Sequence, residues 1–293
     1  MQQCNSVSSA SSGKWQELVA ATGKRDGLLT RSSGVWTANK LYLWHQYVGI
    51  TTKAMAGKPG WDAGLFYVDL FAGTGICEDR DTGEWFPGSP LIAANAPRPF
   101  TKILLVEKDP NCAAALRARM DRSPAASRYR IFEGDCNQCV KDVVSEIPER
   151  ALTVAVIDPP GLDVHFDTIS TLAQGRRVDL LVLFADAMDG LRNLESYRSA
   201  GSRMDLVMGP SSEWREAVDA LPFPSPATTR DALCGVYERQ LARRLGYEFI
   251  SHQAVHGPNG PLYRLVYASK DARGLDFWVK VNKRDRSGQT RFF

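Results

Sequence analysis

Apolar residues recur at helical spacing early in the chain, over residues 35–55. Trp36, Leu41 and Tyr47 belong to this apolar stripe. Such spacing predicts an amphipathic helix, for which Thr37 is the expected N-cap. A segment rich in glycine and proline follows and ends the helix.

The middle of the chain alternates short apolar runs with helical patterns. The runs cover residues 65–71, 103–107, 129–133, 152–158 and 179–184. Nearly continuous apolar runs of this length are typical of strands that are buried on both faces of a parallel sheet. A helical pattern at residues 110–122 separates two of them, so the alternation predicts βαβ units.

Two later apolar runs, residues 247–255 and 262–268, are joined by a short connection rich in glycine and proline. No crossover helix fits there, so the two strands are expected to pair antiparallel. A mostly parallel sheet that ends in an antiparallel hairpin is the methyltransferase variant of the Rossmann architecture. This α/β class is the predicted fold, with a last helix at residues 275–282.

The chain of 293 residues is expected to form one large domain over residues 35–283, with an insertion after the first strand. Residues 1–34 are expected to be a disordered or irregular leader, because a polar, serine-rich start cannot offset its ordering entropy. Residues 284–293 are a basic tail. The net charge of +3 is too small to indicate a class of partner.

Targeting and redox features are sparse. No apolar run approaches the ~20 residues of a membrane-spanning helix, and the start lacks the pattern of a signal peptide. The six cysteines are too scattered for a disulfide framework. We therefore expect a cytoplasmic protein with no membrane partner.

A glycine turn follows the first predicted strand, and carboxylates end the next two strands. Glycine lets the backbone turn tightly and approach a ligand without a Cβ in the way. The third glycine of the dinucleotide fingerprint is missing, since Glu78 stands three positions after Gly75. An acidic residue there disfavours a pyrophosphate, whereas S-adenosylmethionine carries a sulfonium cation and no phosphate.

S-Adenosylmethionine is therefore the predicted cofactor. Glu107 is placed to hold its ribose and Asp135 its adenine, because open α/β sheets bind ligands at the carboxyl ends of their strands. The predicted cofactor residues are Asp69, Phe71, Gly73, Gly75, Glu107 and Asp135. A generic α/β turn with surface acids and a dinucleotide oxidoreductase are the alternatives.

The fourth predicted strand ends in Asp158-Pro159-Pro160-Gly161. In amino methyltransferases, an aspartate and a proline carbonyl in this position align the target amino group, and most of the catalysis is positioning. Asp158, Pro159 and Pro160 are thus the predicted catalytic residues, unless the segment only ends a strand. Adenine-N6 enzymes carry Tyr or Phe where this chain has Gly161, and Phe166 is a candidate substitute.

Residues 66–184 resemble the three-Cys-motif partner family, a bacterial group with a methyltransferase fold. The motifs that carry the resemblance are YVDLFAGTG at 67–75, GSPL at 88–91, VEKD at 106–109, GDCN at 134–137, IDPPG at 157–161 and DLLVLF at 179–184. The helix with Lys40 and Tyr47 and the later hairpin extend the match to most of residues 36–282. The GSPL insertion is also similar to that of bacterial ribosomal-RNA adenine-N6 methyltransferases.

The resemblance implies a partner protein that carries a three-cysteine motif and is encoded nearby. We therefore predict an S-adenosylmethionine-dependent methyltransferase that modifies an amino group of a nucleic-acid base and works with this partner. The alternative is a non-catalytic adaptor with a methyltransferase fold that supports the same partner.

The remaining polar residues give weaker signals. Cys136 and Cys139 lack the further ligands of a zinc site, so they are expected to be thiols at a helix entry, and no metal site is predicted. The histidines are dispersed, and His165 alone is placed to approach the substrate. Basic residues that could contact phosphates are Arg117, Arg119, Arg122, Arg128, Arg130 and, in the tail, Lys280, Lys283, Arg284, Arg286 and Arg291, together with Phe292 and Phe293. Solvated helix faces are the alternative explanation.

Overall fold

The computed structural model describes residues 3–209, 213–258 and 260–283 of the chain, with side chains from residue 13 onward. Its helices are α1 (Gln3–Thr22), α2 (Val35–Met55), α3 (Ser89–Ala94), α4 (Pro110–Met120), α5 (Cys136–Ser145), α6 (Phe166–Ala173), α7 (Arg203–Met208), α8 (Glu213–Asp219), α9 (Pro226–Leu245) and α10 (Ala272–Asn282), with a π-helix at Asp186–Leu191 and a 3-10 turn at Ser196–Arg198. Its strands are β1 (Arg31–Ser33), β2 (Leu65–Asp69), β3 (Ile76–Asp79), β4 (Trp85–Pro87), β5 (Lys102–Glu107), β6 (Tyr129–Glu133), β7 (Leu152–Ile157), β8 (Arg177–Phe184), β9 (Phe249–Gly257) and β10 (Gly260–Ser269).

Seven of these strands form the main sheet, in the order β6-β5-β2-β7-β8-β10-β9. The first five are parallel, and β10 runs antiparallel to both β8 and β9. The predicted methyltransferase variant of the Rossmann fold is confirmed. Every residue of β2 and β7, the strands at the centre of the parallel part of the sheet, is buried. Strands buried on both faces need apolar residues at nearly every position, which is why these two are nearly continuous apolar runs in the sequence.

The helices cover the sheet in two groups. α10, α2, α3 and α4 pack against one another in that order, and α5, α6, α7 and α9 form the second series, with α8 against α9. The predicted helix over residues 35–55 is confirmed, but its N-cap is Gly34 and not Thr37. A Cβ on Gly34 would lie 2.2 Å from the Trp36 ring, so this close approach requires glycine at the cap. In the described ranges, no helix is long and apolar enough to cross a membrane.

The start of the chain departs from the expected irregular leader. α1 occupies residues 3–22, and its Trp15 is 3% exposed and packs edge-on against Tyr42 of α2. Trp15 and Leu18 bury one face of the helix. The free energy gained by this burial offsets the conformational entropy lost when the segment becomes ordered. β1 then pairs with β3 of the predicted insertion, in a small sheet of order β1-β3-β4. The expected basic tail lies outside the described residues.

The glycine turn after β2 is fastened to the insertion through two glycines. Gly75 has a φ of +82°, and its carbonyl accepts a hydrogen bond from the Gly88 N–H at 2.8 Å. A Cβ on Gly88 would lie 3.0 Å from that carbonyl oxygen. This close approach fixes the turn against the start of α3, whose N-cap is Gly88.

Replacing Gly88 with alanine tests this contact. The added methyl group forces the turn and α3 apart, so Gly88→Ala is expected to lower the free energy of unfolding by about 1–3 kcal/mol. Gly49→Ala in α2 is the control, because the nearest atom to its Cβ would be 4.0 Å away. Chemical denaturation should show that Gly49→Ala is neutral or stabilising. Equal stability of Gly88→Ala and wild type would contradict the close-contact argument.

Candidate functional site

Two cavities adjoin at the carboxyl edge of the parallel strands. The larger one, here the acidic cavity, has a volume of about 720 Å³ and lies over the ends of β5 and β6. The second one, here the Asp158 cavity, has a volume of about 360 Å³ and lies between the glycine turn and the end of β7. Arg31, Phe71 and Pro160 line both cavities, so the two adjoin, and together they are called the cleft here.

Glu107 lies in the wall of the acidic cavity and is 9% exposed. Its Oε2 accepts a hydrogen bond from the Gly73 N–H at 2.7 Å, and its Oε1 accepts one from the Asp109 N–H at 2.9 Å. The carboxylate therefore joins β5 to the glycine turn. Each oxygen keeps a second lone pair, which a ligand hydroxyl can use.

Asp135 lies in the same wall and caps α5, where its side chain accepts from the Asn137 N–H at 2.9 Å. Burial acts to raise the pKa of Asp135, but this hydrogen bond and the Lys108 ammonium at 3.0 Å hold it below the usual value. With Asp163, the cavity thus presents three carboxylates, two of which pair with the lining cations Lys108 and Arg203. His165 also lines it, so this histidine lies on the side away from Asp158.

The glycine turn forms the floor of the Asp158 cavity. Gly73 has a φ of +63°, and a Cβ there would meet no atom within 4 Å, so the backbone faces open space. Asp69, by contrast, is fully buried beneath the turn, and its Oδ1 accepts from the Phe71 N–H at 3.1 Å. Burial raises the pKa of Asp69 to about 7. Asp69 thus supports the turn, and neither cavity has it among its lining residues.

Asp158, Pro159 and Pro160 all line the Asp158 cavity, and the carboxylate has a partner that the sequence did not reveal. The Lys40 ammonium, on α2, lies 2.7 and 2.6 Å from the two Asp158 oxygens. Lys40 is 6% exposed and the Asp158 side chain 23%. The sequence did contain one signal for this ion pair, which is a lysine on the apolar stripe of the predicted helix at residues 35–55. A buried ammonium needs a counter-charge, so such a lysine indicates a carboxylate partner elsewhere in the chain.

Two aromatic rings complete the surroundings of this ion pair. The Lys40 Nζ lies 5.0 Å from the centroid of Trp44 and 5.7 Å from that of Tyr263. Such cation–π contacts stabilise the ammonium where water is largely excluded. The Tyr263 hydroxyl is buried and, within the described residues, makes no hydrogen bond. Tyr263 also lines the Asp158 cavity.

The structure explains why Gly161 replaces the aromatic residue of adenine-N6 enzymes. A Cβ on Gly161 would lie 2.6 Å from the Oδ2 of Asp189, which accepts from the Leu162 N–H at 2.8 Å. The prediction that Phe166 substitutes is wrong, because Phe166 is 2% exposed and packs under Gly209 in the core. The aromatic residues that do line the cavity are Trp36, Phe71 and Tyr263.

Arginines surround the mouth of the Asp158 cavity. Arg31, Arg80 and Arg192 line it and are exposed. Within the described residues, none of these three side chains forms an ion pair or hydrogen bond. They come from β1, the end of β3 and the end of the π-helix, so their convergence depends on the tertiary fold.

Some side chains of the predicted basic cluster at residues 117–130 are buried or paired with acidic residues. Arg119 is 5% exposed and donates two hydrogen bonds to Asp26 at 2.8 Å. The prediction that Arg119 contacts phosphates is therefore wrong, because its guanidinium is buried and already paired. Arg117 binds Glu133 at 2.8 Å. In the predicted tail cluster, Lys280 and Lys283 are described, whereas residues 284–293 with Arg284, Arg286, Arg291, Phe292 and Phe293 lie outside the described residues.

The predicted thiols at a helix entry lie at the start of α5. Cys136 is buried and Cys139 is half-buried one turn further on. Burial raises the pKa of Cys136 to about 12, so this side chain is a neutral thiol at physiological pH.

Comparison with known proteins supports the fold. No protein-family model and no curated protein matches the sequence. Among solved structures, protein LPL1258 from Legionella pneumophila superposes with a TM-score of 0.51 at 11% identity, covering 85% of this chain and 92% of that one. This likeness shows a shared fold.

Two further structures have lower scores. An O-methyltransferase from Bacillus cereus in complex with SAH has a TM-score of 0.46 at 10% identity, covering 89% of this chain and 91% of that one. Trm1 from Pyrococcus horikoshii with S-adenosyl-L-methionine has a TM-score of 0.44 at 12% identity, covering 84% and 58%. The resemblance to the three-Cys-motif partner family stays a prediction.

A double-mutant cycle on unfolding free energy tests the Lys40–Asp158 pair. Asp158→Ala leaves a buried ammonium without its counter-charge and is expected to cost about 3–5 kcal/mol. Lys40→Met should cost less, because Asp158 is the more exposed partner. The double variant should lose less than the sum of the single variants.

The control for this cycle is an exposed ion pair. Arg150 and Asp62 lie 2.7 Å apart with side chains 72% and 64% exposed, so Asp62→Ala should change the stability by no more than about 0.5 kcal/mol. Strictly additive losses for the Lys40 and Asp158 variants would show that the two groups do not interact in solution.

Proposed function

We propose that the protein is an S-adenosylmethionine-dependent methyltransferase that acts on an amino group of a nucleic-acid base. One observation carries the proposal: a cavity with three carboxylates adjoins a cavity that contains Asp158 and its two prolines. In open α/β sheets this edge is where ligands bind. The first cavity suits a cofactor and the second an acceptor, and methyl transfer requires these two ligands to lie side by side.

The residues of the acidic cavity fit S-adenosylmethionine. The free lone pairs of Glu107 suit its ribose hydroxyls, and the open space above the Gly73 backbone, in the adjoining Asp158 cavity, lets the cofactor extend toward Asp158 without a clash. Asp135 is placed for the adenine amine or for the cationic part of the ligand. When bound, S-adenosylmethionine supplies an electrophilic methyl group on a sulfonium centre.

Asp158 and the Pro159 carbonyl would align the acceptor. An amino group that donates its hydrogens to these oxygens has its lone pair directed into the cleft, which is catalysis by positioning. Lys40 contacts both oxygens of Asp158 and holds the carboxylate in one orientation. The nitrogen that gains the methyl group would lose a proton to the Asp158 carboxylate, while the cofactor would keep the electron pair of the broken carbon–sulfur bond.

The surroundings of Asp158 favour a nucleic-acid acceptor. Arg31, Arg80 and Arg192 are available to contact phosphates at the mouth. Trp36 is placed to stack on an extruded base, a role that Gly161 cannot fill. Tyr263 lines the same cavity, and its buried hydroxyl makes no hydrogen bond within the described residues. A three-Cys-motif protein as the partner rests on the resemblance of the sequence.

A second candidate function is a non-catalytic adaptor with a methyltransferase fold. The observation in its favour is that Lys40 contacts both Asp158 oxygens, so the carboxylate is engaged before any acceptor arrives. In an adaptor this pair would serve only to join α2 to β7.

Calorimetric titration with S-adenosylmethionine, S-adenosylhomocysteine and NAD tests the cofactor. The first two are expected to bind, and Glu107→Gln should weaken them about tenfold or more, since a hydrogen bond to a charged group contributes about 1.5–3 kcal/mol. Glu133→Gln is the matched control, because Glu133 pairs with Glu107 in register but is half exposed and bound to Arg117. Binding of NAD alone would overturn the proposal, and no binding at all would favour the adaptor.

Methyl transfer from labelled cofactor to RNA and DNA tests the acceptor. Asp158→Asn should abolish transfer while S-adenosylmethionine affinity stays within a few-fold, because Asp158 faces the acceptor side. Changing Arg80 and Arg192 together to Gln should weaken nucleic-acid binding and lower its log–log salt slope by about 1.5–2. Arg150→Gln, in an exposed pair far from the cleft lining, should leave both unchanged. Full turnover by Asp158→Asn would remove Asp158 from the catalytic assignment.

A further inference from the structure

A second cluster of chemically reactive side chains lies outside the lining of the cleft. Cys234 and Glu238 stand one turn apart on α9, and His252 lies on β9, the edge strand of the main sheet. The Cys234 sulfur, a Glu238 carboxylate oxygen and a His252 ring nitrogen all lie within 4.8 Å of one another. The three residues are 4 to 18 positions apart in the sequence, so only the packing of α9 against the hairpin unites them.

We propose that Cys234, Glu238 and His252 form a zinc site with three protein ligands and one open position for water. Thiolate, imidazole and carboxylate are the ligands that Zn²⁺ uses in proteins, and three of them with an open fourth position is a recurring tetrahedral set. Bonds of about 2.0–2.3 Å place such ligand atoms about 3.3–3.8 Å apart. The cluster is already close to this size.

Small side-chain rotations would close the cluster on an ion. The His252 Nδ1 lies 2.6 Å from the Glu238 Oε1, so these two atoms must separate by about 1 Å to share a metal. Their side chains are 41% and 26% exposed and have room to rotate. Cys234 is fully buried beneath them, which leaves the open position on the solvent side.

The charges around the cluster are compatible with a dication. The cationic groups near the cluster are already paired with carboxylates, beginning with the Arg264 guanidinium on β10. Arg264 is neutralised by Asp186 at 3.1 Å and Asp231 at 2.5 Å. Thiolate and carboxylate together balance the two charges of the ion. Arg230, which lies 3.0 Å from Asp186, completes a set of two buried arginines and two aspartates.

The site would add a metal cross-link between α9 and β9, which already meet through the His252–Glu238 contact. β9 is the edge strand, where a hairpin strand has a partner on one side alone. A metal held by α9 and β9 cross-links the helix to that edge. Metal binding is therefore expected to raise the melting temperature of the protein as well as to show a stoichiometry of one ion per chain.

Titration of the metal-free full-length protein tests the site. Zn²⁺ is measured by competition with a chromophoric chelator, and Co²⁺ serves as a spectroscopic probe, because thiolate ligation gives an intense near-ultraviolet charge-transfer band. Wild type should bind one ion with that band. His252→Gln should lower the affinity by about tenfold or more, and Cys234→Ser should remove the band.

Two matched variants serve as controls. Cys139→Ser alters a half-buried thiol on α5, and His256→Gln alters a histidine further along β9, and both should bind the ion as wild type does. His252 is exposed, so His252→Gln keeps the test valid even where Cys234→Ser fails to fold. Equal affinity of wild type and His252→Gln, or a Co²⁺ spectrum without the thiolate band, would overturn the proposal.

Discussion

The contact on which the cleft depends is the ion pair between Lys40 of α2 and Asp158 at the end of β7. Taking an ammonium out of water costs several kcal/mol, and the cost is recovered only with good geometry and a close counter-charge. Two oxygens at 2.6–2.7 Å and two aromatic rings provide that geometry. Because either charge alone would be unstable there, the pair holds α2 against the end of the central strand and keeps the carboxylate at a fixed position.

A second polar contact anchors the same helix farther along its length. The Tyr47 hydroxyl donates to Asp179 of β8 at 2.7 Å, and the Ser269 hydroxyl donates to the other Asp179 oxygen at 2.7 Å. Burial still raises the pKa of Asp179 to about 6, although both hydrogen bonds act to lower it. With Lys40 at one point and Tyr47 two turns later, α2 can neither slide nor rotate on the sheet. The wall that α2 contributes to the Asp158 cavity is therefore rigid.

The fold was predictable from the sequence because the strands are long apolar runs. β6 spans the residues that the pattern predicts, and the other parallel strands differ by one or two residues at an end. The helices between β8 and β9 were missed, including the 20-residue α9, whose buried residues do follow helical spacing. The short α7 and α8 offer too few residues for a period to be recognised. α7 matters most among them, because its Arg203 and Leu206 line the acidic cavity.

The site was predictable only where strand ends define it. Glu107 and Asp135 follow strands, so the parallel topology brings them to one edge. The Lys40–Asp158 pair joins residues 118 positions apart, and the Gly161–Asp189 contact depends on the path of the chain after β8. Phe166 is near Asp158 in sequence, but α6 begins there and turns the ring into the core.

The distribution of charge along the cleft bears on the choice between the two proposed functions. A sulfonium cofactor is favoured by carboxylates, whereas a polyanionic acceptor is favoured by unpaired arginines. The acidic cavity holds Glu107, Asp135 and Asp163 beside Arg31, Lys108 and Arg203, and the Asp158 cavity holds Asp158 and Lys40 beside Arg31, Arg80 and Arg192. Charges of both signs line each cavity, so what distinguishes the two cavities is which charges are paired. In the acidic cavity Lys108 pairs with Asp135 and Arg203 with Asp163, which leaves Glu107 as the carboxylate without an ion pair among the described residues. At the Asp158 cavity the ammonium is paired with Asp158, and Arg80 and Arg192 are the charges that remain for a ligand. An unpaired carboxylate beside unpaired arginines suits a catalyst that joins a cationic donor to an anionic acceptor, whereas an adaptor has no need for either.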